Sequence, residues 1–166
     1  MKRLLMVRHA KSSWDEAYVS DFERPLNKRG RRDAPLMGAV LRNQQVDVQY
    51  LRSSPAVRAL TTARLLAEEL SFPLANIVTD DSMYGASALT LQSIIRAIPD
   101  SVAHAMIVGH NPGMHALAET LVDFREVNLP TCGIVCADFP VDSWAQVGKG
   151  TGRLAFYEYP KRHTRD

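Results

Sequence analysis

Short apolar runs rich in β-forming residues alternate along the chain with longer stretches of helical period. Leu4 to Val7 are continuously apolar, so residues 3–7 predict a strand buried on both faces of a sheet. Helical spacing follows over 28–42 through Ala34, Met37, Val40 and Leu41, with Pro35 inside it blurring where the helix begins. Residues 46–51 predict a second strand. A helix over 56–70 follows, with Leu60, Ala63, Leu66, Ala67 and Leu70 on one face, and Ser54 and Pro55 before it suit a cap and a first-turn proline. A brief strand at 77–78, a helix at 89–98 stopped by Pro99, a strand at 103–108 and a helix at 113–121 continue the alternation. Two more strand-like runs, 133–139 and 153–159, have no helix between them and predict an antiparallel edge. The pattern is that of a three-layer α/β/α fold with a central, mostly parallel sheet.

The chain has 166 residues, 46% of them hydrophobic, enough for a core without covalent staples. No linker, repeat or low-complexity segment divides it, so one domain over 1–166 is expected. Its 20 Lys+Arg against 18 Asp+Glu leave +2, which argues against nucleic acid or a membrane surface as partner. Met1-Lys2-Arg3 is followed by only four apolar residues, where an export signal needs about 7–15. No stretch reaches the roughly 20 apolar residues of a membrane span, so a soluble, cytoplasmic protein is expected. Cys132 and Cys136 have neither redox nor zinc spacing and read as ordinary apolar strand positions in a reducing compartment.

Candidate chemistry sits in three loops that follow strands expected to be parallel neighbours: residues 8–11, 52–58 and 109–111. Ligands of open α/β sheets bind beyond the carboxyl ends of the strands. His9, Arg58 and His110, about 50 residues apart in sequence, are therefore expected to converge. Guanidinium forks match phosphate oxygens, an imidazole is a competent nucleophile near neutral pH, and helix-opening loops add backbone N–H groups.

These residues carry a resemblance. Val7-Arg8-His9-Ala10 resembles the Arg-His-Gly signature of the histidine phosphatase superfamily, the phosphoglycerate-mutase-like group. Ser53-Ser54-Pro55-Ala56-Val57-Arg58-Ala59-Leu60-Thr61-Thr62-Ala63 is similar to its second block, and Val108-Gly109-His110-Asn111-Pro112-Gly113 to its third. The segment from Asp21 to Gly30, with Arg24-Pro25-Leu26, resembles the short SixA-type branch of protein-phosphohistidine phosphatases, as does the chain length. The resemblance covers separate blocks from the first strand to about Leu121. It implies that His9 attacks phosphorus and that Arg8, Arg58 and His110 hold the phosphoryl oxygens, with Arg24 a further substrate-binding candidate. It implies no metal and no cofactor. A zinc reading of His110 with His115 is poor, because a spacing of five leaves one helical face and no carboxylate completes a site.

Two departures from the family pattern change the expectation. Ala10 stands where the family has glycine, so no glycine-only conformation is needed there. Larger members place a general-acid glutamate near residues 82–86, whereas this chain reads Asp80-Asp81-Ser82-Met83-Tyr84-Gly85-Ala86. Asp80 and Asp81 are the substitutes available. An imidazole leaving group, with an ordinary pKa of about 6.5, needs less help than an alkoxide. Short connections also leave no lid. The expected substrate is thus phosphohistidine on a protein, for instance in a phosphorelay; the alternatives are a small phosphate ester, or phosphate binding without turnover.

The other polar features read more plainly. His104, His115 and His163 are structural histidines. Lys28, Arg29, Arg31 and Arg32 fit a solvated helix face better than a docking surface for an acidic protein. The segment 161–165 reads as a frayed terminus, and Trp14 and Tyr18 fit either packing or an aromatic rim.

Overall fold

A computed structural model of the chain describes residues 1–15 and 19–164; Tyr18 and Arg165 lie outside them. Six strands, β1 (Lys2–Arg8), β2 (Tyr50–Ser53), β3 (Val78–Thr79), β4 (His104–Gly109), β5 (Ile134–Phe139) and β6 (Arg153–Glu158), form one sheet in the order β3-β2-β4-β1-β5-β6. The first four in that order are parallel; β5 is antiparallel to β1, and β6 to β5. The expected mixed α/β fold is therefore present, with its antiparallel strands on one side.

The pleat sorts side chains into two cores. From β1, Leu5 and Val7 join one core, beneath α1 (Lys28–Asn43) and α2 (Val57–Glu69). Leu4 and Met6 join the other, beneath α3 (Ala88–Arg96) and α4 (Gly113–Leu121). Continuous apolarity in β1 and β4 is thus the mark of strands covered on both faces.

The predicted elements recur with shifted ends, and each shift has a local cause. The second strand starts at Tyr50, not at residue 46. Gln45 adopts φ 58° and the Val46 N–H bonds back to the Leu41 carbonyl, so Val46 closes the end of α1 and does not enter the sheet. The expected strand at 133–139 begins at Ile134 because Cys132 sits in a turn at φ 59°. Cys132 is buried, as expected, but outside the strand; Cys136 is within it. The helix around Pro35 starts at Lys28, where the Asn27 side chain accepts from the Gly30 N–H. The segment after 159 is not frayed as far as residue 164. Residues 160–162 form a 3-10 turn with Pro160 buried, and His163 meets Glu158 through Nε2.

Gly30 fixes how closely α1 approaches the loop after β1. A Cβ there would lie 2.1 Å from the Lys11 carbonyl oxygen, two residues beyond His9. Among the described residues, no helix is long and apolar enough to cross a membrane.

Candidate active site

β1, β2 and β4 are adjacent and parallel, so their carboxyl ends bring Arg8 and His9, the 53–58 turn, and His110 to one place. The His9 and His110 ring centroids are 5.1 Å apart. Arg8, His9, Arg24, Arg58 and His110 all line one pocket of about 200 Å³. The convergence expected from sequence is met, and Arg24 belongs to it.

The His9 backbone is clamped on both sides. Its N–H donates to the Gly109 carbonyl, and the Cys132 N–H is 3.0 Å from the carbonyls of Arg8 and His9. The neighbouring Ala10 N–H donates to Thr62 Oγ1, whose hydroxyl donates to the Arg58 carbonyl. Ala10 has no positive φ, as its departure from glycine suggested. In the ring, Nδ1 lies 2.7 Å from the Ala10 carbonyl. A carbonyl only accepts, so Nδ1 carries the proton and Nε2 keeps its lone pair.

Both imidazoles are held neutral. Burial is the main cause for each, and the surrounding arginines add to it; His9 is pushed down to about 3 and His110 to about 4, from an ordinary 6.5. The unfolded chain therefore holds more protons than the folded one below pH 6.5. Stability is full above that value and is lost as pH falls towards 4 and 3. Thermal melts recorded through this window should show Tm falling with acid, and less steeply in His110→Asn. An identical acid profile in that variant would mean that His110 does not carry the cost.

The arginines are placed by different means. Arg8 donates through Nη1 to the Leu129 carbonyl and pairs with no carboxylate among the described residues, while burial lowers its pKa. The Leu129 carbonyl also accepts from Asn111 Nδ2, and the Leu129 N–H donates to His115 Nδ1. His115 is thus structural, tying the 122–130 loop to the turn that carries His110. Arg58 donates through Nη1 to the Asp21 carbonyl and through Nη2 to Asp21 Oδ2, at 3.0 Å. Arg24 reaches Asp21 Oδ1, donates to Ser12 Oγ, and lies 3.5 Å from the centre of the Trp14 ring. Trp14, 73% exposed, lines the pocket and at the same time stacks on Arg24. Arg8 Nε, Arg58 Nε and His110 Nδ1 are buried without partners among the described residues, an arrangement that costs stability unless an anion compensates it.

Sequence reasoning missed three contributors. Ser54 is no helix cap: Ala56 holds that position without a side-chain bond, and Ser54 Oγ sits 2.8 Å from His110 Nε2. Asp21 ties Arg58, Arg24 and the Tyr84 hydroxyl together, and the Tyr84 hydroxyl and arginines draw its pKa down to about 2. Tyr84 packs edge-on to His110. The available signal for Asp21 was its spacing of three from Arg24. Asp80 is not at the pocket: its carboxylate is held by Arg52 and Ser82. Asp81 does not line the pocket either, and among the described residues no carboxylate does.

A neutral imidazole with a free lone pair, faced by guanidiniums at parallel strand ends, defines a phosphoryl-anion site of the kind phosphatases use. Comparison with known proteins gives the family. Residues 4–126 match the model of the histidine phosphatase superfamily (branch 1), and the chain belongs to that superfamily. It is 30% identical over 154 residues to an uncharacterised chloroplastic protein of Arabidopsis thaliana, covering 87% of this chain and 70% of that one. Phosphohistidine phosphatase SixA of Escherichia coli is 26% identical over 111 residues, 66% of this chain and 68% of that one. A solved structure of protein histidine phosphatase SixA complexed with tungstate superposes with a TM-score of 0.82 at 21% identity, over 98% of this chain and 99% of that one. The chain is a phosphatase of this superfamily with a SixA-like fold.

Proposed function

We propose that the chain hydrolyses phosphohistidine on proteins, without metal or cofactor, through a phosphoryl group carried on His9. The Nε2 lone pair of His9 attacks phosphorus, and the N–P bond to the substrate imidazole breaks as that imidazole takes up a proton. Water then attacks the phosphorus on His9, releasing inorganic phosphate and restoring the lone pair. Arg8, Arg58 and His110 hold the equatorial oxygens as charge builds, with Arg24 on the approach side.

One observation carries the choice of leaving group. Among the described residues no carboxylate lines the pocket, and Asp21 beside it has a pKa of about 2, far too acidic to keep a proton at neutral pH. An alkoxide leaving group loses about 10²–10⁴ in rate without a general acid, whereas an imidazole protonates unaided. Similarity to SixA proteins supports the same reading. Steady-state rates on a phosphohistidine peptide and on a panel of sugar and nucleotide phosphates test it. The peptide should lead by at least about a hundredfold in kcat/KM. A clear preference for the monoesters would overturn the substrate while leaving the role of His9 standing.

A further inference from the structure

One sizeable cavity of the described residues does not contain His9. It is a cleft of about 520 Å³ on the side of the molecule where β6, the 160–162 turn and the start of α1 meet. Thr131 lines both this cleft and the catalytic pocket, so the two hollows share a wall. Arg29 from α1 and Lys161 and Arg162 from the turn supply its charge, and Tyr157 and Tyr159 supply aromatic surface. Glu126 is the one carboxylate among its described lining residues.

These cations come from segments that read separately in the sequence as a solvated helix face and a loose tail. The fold joins them. Arg29 and Lys161 also line a second, adjoining hollow with Arg32, which extends the basic strip away from the active site. The charge of Arg29, Lys161 and Arg162 is only partly committed within the described residues. Arg29 is 3.5 Å from Asp33, with its side chain 44% exposed. Arg162 is 3.6 Å from Glu158. Lys161 is exposed and forms no ion pair among the described residues. The tyrosine rings stand 5.0 Å apart, presenting flat surface of low conformational entropy, and Val127, between lining residues Glu126 and Asn128, is 97% exposed.

We infer that this cleft is a docking site for an acidic polypeptide segment of the phosphorylated substrate, flanking the phosphohistidine that enters the catalytic pocket past Thr131. The inference rests on the phosphoprotein reading above. It assigns specificity to charge complementarity beside the pocket, since the phosphoryl clamp itself recognises only the group common to all such substrates.

Two phosphohistidine peptides of equal length test it, one with three glutamates on each side of the phosphohistidine and one with glutamines there. Free phosphohistidine is the reference. The wild-type protein should favour the glutamate peptide by about tenfold in kcat/KM at low salt, and high salt should erase the difference. Lys161→Glu should abolish the preference and leave turnover of free phosphohistidine unchanged, which also shows that the variant is folded. Arg29→Gln should reduce the preference in the same direction. Equal rates on the two peptides with wild-type protein, or an undiminished preference in Lys161→Glu, would overturn the docking site alone. Failure of wild-type protein to turn over any of the three faster than phosphate monoesters would overturn the phosphohistidine reading, and the docking site with it.

Discussion

Replacing His9 with alanine is expected to lower kcat/KM on the order of 10⁵-fold while leaving the fold in place. His9 is only 7% exposed, but what holds its backbone is backbone: the bond to Gly109 and the Cys132 N–H shared between the Arg8 and His9 carbonyls survive the change. Only the ring is lost, with the Nε2 lone pair that its bond to the Ala10 carbonyl keeps free. The guanidiniums remain, so tungstate should still inhibit any residual turnover and still bind by calorimetry. Residual activity within tenfold of wild type would place the nucleophile elsewhere.

The second large effect belongs to Arg58. Arg58→Ala should cost about 10³-fold in kcat, the scale of losing a preorganised donor to the developing oxyanion, and should weaken tungstate inhibition in parallel. Arg58 is 5% exposed, yet its removal strands no buried partner. The side chain of Asp21 is 48% exposed and keeps Arg24 and Tyr84. The melting temperature should therefore move much less than the rate. Arg58→Lys should recover only part of the loss, since an ammonium restores the charge but not the two-pronged geometry that now grips Asp21. Unchanged tungstate inhibition in Arg58→Ala would remove the residue from the phosphoryl site.

The legible part of this protein was the part written as pattern. β1 and β4 declared themselves as buried strands because helices cover both faces of the sheet there, and His9 and His110 stand at their ends in turns that the topology brings together. What escaped was set by contacts between distant segments. Val46 read as strand because it is apolar, whereas its apolarity serves the end of α1. Ser54 read as a cap because serine often is one, yet β4 brings His110 against it. Asp80, one of the two acids next to the expected position, is drawn away by Arg52, a residue with no sequence signal of its own. Asp21 was visible only as part of a motif. That it ties two arginines and a tyrosine together depends on α2 and the 81–84 turn arriving beside it.

Everything in this mechanism turns on His9 carrying the phosphoryl group. Rapid acid-free quenching of the wild-type protein with a ³²P-phosphohistidine peptide, followed by proteolysis and mapping of the label, tests this directly. Acid-labile phosphate is expected on the peptide containing His9, appearing before free phosphate is released. Label on any other residue, or release of phosphate with no labelled protein at any time, would contradict it.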